Sequence, residues 1–343
     1  MKRRKATLTA AAAGTVAGVV GLGLLALPTS ASSAPSLPPV GAEQLVESVL
    51  REQPPAMGGT VKVDNALGLP AIPGVPEGSA LLGGGETRVW LDGHGRGRAQ
   101  IASSGREQTI VHDGTTTWRW DSSSRTAVRS THPDAKKPEG TVDPSAAARQ
   151  LISTIRSSST VAVDGTARVA NRDAYELVLT PAPSERTVLR EVRVAVDAEK
   201  RVPLRVTVLA NGSSDPVLQA GFTELAFGEQ DAGLFKFEPP AGATVKDDER
   251  KPDRNAAKDH PKPKIVGDGW DTAVVVDLPK GKERGEQDPL AMVKQLGKPV
   301  EGAYGRGWLI STKVGSALVT ESGRAALGAV PEQVLVEALG STR

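Results

Sequence analysis

The residues able to do chemistry are thinly spread, and their spacing assembles no familiar centre. The four histidines, His94, His112, His132 and His260, fall in a turn, a strand, a loop and a charged run. No two of them share the i, i+2 or i, i+4 spacing that puts two metal ligands on one face. Cysteine is absent, so there is no thiol nucleophile, no Cys-ligated zinc, no disulfide framework and no lipid-modified N-terminal cysteine. There is no G-x-S-x-G, no H-E-x-x-H and no Walker loop, and the glycines of Gly93-His94-Gly95-Arg96-Gly97 suit a hairpin tip better than a phosphate cradle. Lys and Arg number 42 against 40 Asp and Glu, without the cationic surplus that phosphate backbones require. The residues therefore predict no enzyme, no cofactor, no metal and no nucleic-acid partner. What remains is apolar, and the elements that position it carry the rest of the reading.

The chain has 343 residues, enough for about two domains. It opens on Lys2, Arg3, Arg4 and Lys5, followed by an uncharged run of 18 residues, 10–27. Pro28 and the small residues Thr29-Ser30-Ala31 then fit an export-signal cleavage site over 1–31, with an N-terminal membrane anchor as the alternative. Either way the remainder is expected outside the cytoplasm, because the positive end stays inside. Residues 32–41 read as a tether.

Ala42, Leu45, Val46, Val49 and Leu50 recur at helical spacing, predicting an amphipathic helix over 42–52 that stops at Pro54-Pro55. The period then changes to two. Strands are predicted at 60–64, 87–92, 98–103, 108–112, 115–120 and 126–130, joined by turns such as Asp113-Gly114 and Asp121-Ser-Ser-Ser. Asp143-Pro144 opens a second helix to about Ile155, and strands resume at 166–170, 174–180, 189–197, 203–210, 216–227 and 235–237. Tyr175, Leu177 and Leu179 alternate with polar residues, as do Val192, Val194 and Val196, and Leu204, Val206 and Val208. One face of the sheet is therefore dry and the other wet.

The fold class is α+β: a curved antiparallel half-barrel of about eleven strands over 42–246, wrapped on helices, followed by a small α+β domain. Between them, residues 246–264 hold seven positive and five negative charges with three prolines, which reads as a solvated linker over about 247–265. Beyond it, over 266–343, strands are expected at 269–278, 307–314 and 317–321 and helices at 288–297 and 331–339.

Two features point to a hydrophobic ligand. Residues 66–85 carry one charge, Glu77, yet contain Leu67, Leu69, Ile72, Val75, Leu81 and Leu82 among six glycines and three prolines. They make either a flap over an apolar cavity or a loop packed on the barrel rim. Trp118 and Trp120 share a strand face and serve either the core or a cavity wall. The candidate cavity and flap residues are Leu45, Val49, Leu69, Ile72, Val75, Leu81, Val89, Leu91, Trp118, Trp120, Leu177, Leu179, Val192, Val194, Leu204, Val206 and Phe222.

Several passages carry a family likeness: VHDGTTTWRWDSSSRTAVRS (111–130), NRDAYELVLTPAP (171–183), VRVAVDAEKRVPLRVTVLANG (192–212) and FTELAFGEQDAGLFKFEPPAGATV (222–245). The chain resembles the LolA/RseB-like superfamily of periplasmic lipoprotein carriers and sigma-factor regulators. That resemblance implies an unclosed barrel whose cavity takes the acyl chains of a lipid or lipoprotein. It also implies a membrane protein as partner, either a lipoprotein receiver or an anti-sigma factor. A basic residue is implied at the barrel mouth, with Arg88 and Arg98 as candidates.

Overall fold

The computed structural model describes residues 35–66, 85–103, 106–131, 155–248, 263–278 and 289–341. The possible export signal, most of the 66–85 loop, the body of the 143–155 helix and most of the charged linker lie outside them.

The described residues build two sheets. The larger holds β1 (Met57–Asn65), β2 (Gly85–Leu91), β3 (Gly97–Ser103), β4 (Arg106–His112), β5 (Thr116–Asp121), β6 (Thr126–Thr131), β7 (Ser159–Val169), β8 (Arg172–Pro181), β9 (Leu189–Asp197), β10 (Pro203–Ala210), β11 (Leu218–Phe227) and β12 (Thr244–Asp247). Its order is β12-β6-β5-β4-β3-β2-β1-β11-β10-β9-β8-β7. Two antiparallel meanders thus meet where β1 pairs with β11, Val63 facing Ala220. The sheet is open, with β12 and β7 at its edges. It is also curved. β7 and β11 stand four places apart, about 19 Å in a flat sheet, yet their backbones approach within 8 Å.

Aspartates punctuate the hairpins, for the reason that makes Asp a turn residue: its carboxylate accepts from the N–H groups that the turn leaves free. Asp113 accepts from the amides of Thr115 and Thr116 at 2.9 and 2.8 Å. Asp92 accepts from the amides of His94 and Arg96, both at 2.8 Å, and from Arg96 Nε at 2.6 Å. Burial would raise the Asp92 carboxyl, but these donors hold it down at about 2. Asp197 is fully buried and accepts from the amides of Glu199 and Lys200 and from Arg172 Nε at 2.7 Å. Burial again opposes its charge, and the Arg172 guanidinium with the two amides keeps its pKa below the ordinary value.

Helix α1 (Ala42–Arg51) ends before Pro54-Pro55 and lays Ala42 and Leu45 on the sheet. The stretch read as a tether is docked from Pro35 onward. The Thr166 hydroxyl donates to Pro35 O at 2.7 Å, the Tyr175 hydroxyl donates to Pro38 O at 2.9 Å, and Leu37 and Val40 pack beside α1.

The smaller sheet comprises β13 (Lys264–Val266), β14 (Ala273–Asp277), β15 (Lys298–Gly302), β16 (Gly305–Ser311), β17 (Ser316–Thr320) and β18 (Arg324–Gly328), in the order β13-β14-β18-β17-β16-β15. Helix α2 (Pro289–Leu296) contacts β16, and helix α3 (Glu332–Ser341) buries Val334, Leu335, Ala338 and Leu339 against Ala273, Val275, Leu318 and Ala326.

The two sheets are bonded to each other through the loop after β8. Glu185 accepts from the amides of Trp270 and Asp271, Trp270 Nε1 donates to Ser159 Oγ at 2.6 Å, and Val188 N donates to Ala329 O at 3.0 Å. Gly269 permits this approach, since a Cβ there would lie 2.5 Å from a Glu185 carboxylate oxygen.

Three expectations change. Residues 235–237 are not a strand: a 3₁₀ turn, Ala232–Phe235, is capped by Asp231 and leads into extended chain. The sheet is not wholly antiparallel, because β12 pairs with β6 in parallel. Residues 244–247 and 264–266, read as linker or its margins, are strands β12 and β13.

Candidate functional site

Register places one continuous apolar face across the larger sheet. Leu177, Val194, Val206, Ala220 and Val63 are direct neighbours in a row spanning β8, β9, β10, β11 and β1. A parallel row runs Gly59, Val89, Ala99 and Ile110 across β1 to β4. The opposite face carries the charged side chains, although Val111, Ala127, Val178 and Ala195 are buried on it. There Glu176 accepts from Arg193 and Arg205, at 3.1 and 2.8 Å, and Lys62 stands beside Glu86.

Cover on the apolar face is uneven. Over β7 to β9, helix α1 closes it. Leu45 is fully buried with Val161, Tyr175, Leu177 and Val196, and Val49, Leu179 and Val194 pack around them. Moving along the row the cover ends. Val206 is 38% exposed, and Val192, Val208, Leu218, Ala220, Val61, Val89 and Leu91 are half-buried. Toward β4–β6 the same face holds a cavity of about 370 Å³ with Ile110 and Val128 in its wall. Gln108 donates to Asp121 at its rim, and Arg119 pairs with Asp248 at 3.2 Å. Hydrogen bonds from Ser123, Ser124 and Gln108 hold the Asp121 carboxyl far below the ordinary range, so it stays charged. The surface is apolar along its length and carries fixed polar groups at one end.

The residues singled out from sequence separate into four groups. Leu45, Val49, Leu177, Leu179 and Val194 come together under α1. Val89, Leu91, Val192 and Val206 lie on the same face beyond the helix. Leu69, Ile72, Val75 and Leu81 are outside the described residues. The remaining four divide: Phe222 stands opposite Val61 with its ring against Gly59, and Trp120 borders the cavity beside Ile110. Leu204 does not share a face with Val206, because the β9–β10 register shifts between Pro203 and Arg205. It is buried instead with Val169, Ala174 and Ala195, and Phe222 packs against that second cluster. Trp118 and Trp120 lie on the polar side of the sheet, in the same rows as Val111 and Thr109, with the Phe237 ring 5.5 and 6.5 Å away. Phe237 and the buried Phe235 belong to a strap that covers that side of β3 to β6 before β12 pairs with β6. Arg88 and Arg98 also stand on the polar side, in the rows of Thr60 and Trp90.

Sequence reading missed the strap's role and the row structure. Alternation shows which residues share a strand face, but the partner across the ladder is set by register, which only the fold supplies. Among the described residues no group of His, Asp or Glu could hold a metal ion, and no helix is long and apolar enough to cross a membrane.

The fold is thus an open, curved and almost wholly antiparallel sheet with a partly uncovered apolar face. No family model and no curated protein matches this chain. Among solved structures it is similar to the MucA/MucB complex of Pseudomonas aeruginosa, at 15% identity over 87% of this chain and 96% of the other, TM-score 0.46. A LolA superfamily protein from Nitrosomonas europaea aligns at 14% identity over 58% of this chain and 99% of its own, TM-score 0.25. An uncharacterized conserved protein from Thermus thermophilus aligns at 13% identity over 60% and 98%, TM-score 0.37. These are likenesses of shape, and the function proposed next stands on this chain's own residues.

Proposed function

We propose that this protein is an exported, non-enzymatic binding module that holds the acyl chains of a lipid or lipoprotein against the uncovered part of its apolar face. The observation that carries the reading is the row Leu177–Val194–Val206–Ala220–Val63, which is apolar throughout and buried at both ends, yet opens at Val206. Each CH₂ of a guest moved from water onto such a face contributes about 0.8 kcal/mol, so micromolar binding takes about ten methylenes, the length of an acyl chain. The glycine-rich segment between β1 and β2 starts and returns beside this surface, which supports its role as a flap. The lysine–arginine start and apolar run of residues 1–31 support export, and the linker of 247–265 separates two domains in this reading.

Native mass spectrometry of the protein from its host, with uptake of a fluorescent fatty acid, tests the proposal. Co-purifying lipid, and uptake weakened about tenfold in Val206→Asp, are expected. Absence of lipid together with no uptake overturns it.

A second reading is favoured by the bonded seam between the sheets, which simple carriage does not need. In it the two sheets together recognise the extracytoplasmic part of a membrane protein such as an anti-sigma factor, with lipid as the input. Recovery of one stoichiometric single-pass partner from envelope extracts supports it, whereas a mixture of lipoproteins supports carriage.

A further inference from the structure

The cavity of about 370 Å³ marks the place where the apolar face turns into charge. Two neighbouring rows cross β1 to β4, one through Gly59, Val89, Ala99 and Ile110, the other through Val61, Thr87, Ile101 and Gln108. On β5 the first row reaches Arg119 and the second Asp121. The first then continues through Val128 to Lys246 on β12, and the second through Thr126 to Thr244. One row thus ends in two cations and the next in an anion. Arg119 and Asp121, two residues apart on one face of a strand, have Cα atoms about 7 Å apart, close enough for one small group to touch both.

These charges are differently engaged. Arg119 pairs with Asp248 at 3.2 Å, and Asp248 also accepts from the Ser130 hydroxyl at 2.9 Å. That one bond leaves most of the five N–H donors of the guanidinium for another partner. Asp121 has only neutral donors among the described residues. The Ser123 hydroxyl and the amide and hydroxyl of Ser124 converge on its Oδ1, closing the β5–β6 turn. Its Oδ2 takes the Gln108 amide alone, at 3.3 Å. The turn occupies one oxygen and leaves the other, on a residue lining the cavity, with a single long bond. Counting Lys246, this end carries two positive and two negative charges in adjacent rows.

We propose that this end of the apolar face receives the headgroup of the guest, and that the headgroup is zwitterionic, an ammonium two carbons from a phosphate as in phosphatidylethanolamine. The inference rests on the acyl-chain reading above and adds to it the class of lipid. The ammonium meets Oδ2 of Asp121, the phosphate meets the remaining donors of Arg119 with Lys246 beyond, and the chains leave along Ile110 and Ala99. An anionic headgroup without an amine offers Asp121 nothing, and excludes water from a carboxylate that has no counter-charge.

Displacement of a fluorescent fatty acid from the full chain tests this, with three lipids of the same short acyl chains: phosphatidylethanolamine, its N-acetyl derivative and phosphatidylglycerol. Phosphatidylethanolamine is expected to act at roughly tenfold lower concentration than the other two, the worth of one charge-assisted contact. Asp121→Asn should erase that difference. Arg119→Gln should weaken phosphatidylethanolamine and phosphatidylglycerol alike, and Val206→Asp should weaken all three. Equal displacement by the three lipids, or a difference that survives Asp121→Asn, overturns the headgroup assignment and leaves the acyl-chain reading standing. Failure of the probe to bind, or of every lipid to displace it, overturns that reading and this inference with it. Phosphoethanolamine without chains should displace nothing; displacement by it would make the site one for a free amine phosphate and overturn the lipid assignment. Asparagine keeps the oxygen that caps the turn, and the comparison of lipids on the unaltered chain needs no variant.

Discussion

The two halves of the larger sheet carry the same alternation to different ends. Over β7 to β9 the apolar side chains meet α1 and become core: Leu45, Tyr175, Leu177 and Val196 are all buried. Over β10, β11, β1 and β2 the same pattern continues, with Val206, Leu218, Ala220, Val61 and Val89, but no described helix lies on it and the residues stay partly exposed. A hydrophobic strand face is thus buried core or open surface according to what is placed over it. The difference lies in the cover and not in the strand.

The comparison is most sharply broken by damage beneath the closed half. Asp197→Ala leaves Arg172 without its bidentate partner and removes the cap of the β9–β10 turn. Losing one member of such a buried pair costs about 3–5 kcal/mol, to be read as a lower denaturation midpoint in urea. Next, Leu45→Ala should cost about 2–5 kcal/mol, because a cavity opens where nothing can collapse. The affinity of the molecules that remain folded for a fatty-acid probe should change little.

A smaller effect follows from Asp92. Its folded pKa of about 2 lies below the ordinary carboxylate value near 4. The stability it contributes is therefore complete above pH about 4 and is lost as pH falls toward 2. Asp92→Asn should lower the melting temperature at pH 7 and flatten its decline between pH 5 and 2, by calorimetry at stepped pH. The smallest change in stability belongs to the open half. Val206→Glu, on a site already exposed, should move stability by no more than about 0.5 kcal/mol while reducing probe uptake.

Much of this was legible from the chain. Strands β9 and β10 run where alternating Val, Leu and Arg predicted them, because the dry-and-wet pattern is strong there and hairpin turns bracket it. β12, with four exposed residues, and β15, with Pro299 inside it, show no alternation and escaped notice. β18 is Ala-rich, preceded by Gly323 and ending on Gly328, too weak a signal to stand out. The faces were harder than the strands. One inserted residue at Leu204 moves that side chain to a different cluster, and nothing in VPLRV announces the shift. The tryptophans went to the polar side because Phe237, more than a hundred residues on, returns to cover them there.

The smaller sheet leaves the larger one from β12, at one margin, and is bonded back through Glu185, Ser159 and Val188 near the other. Gly269 has no side chain to hold the two sheets apart, and Trp270 reaches Ser159 on the edge strand β7, so that edge is anchored from outside by residues of the smaller unit.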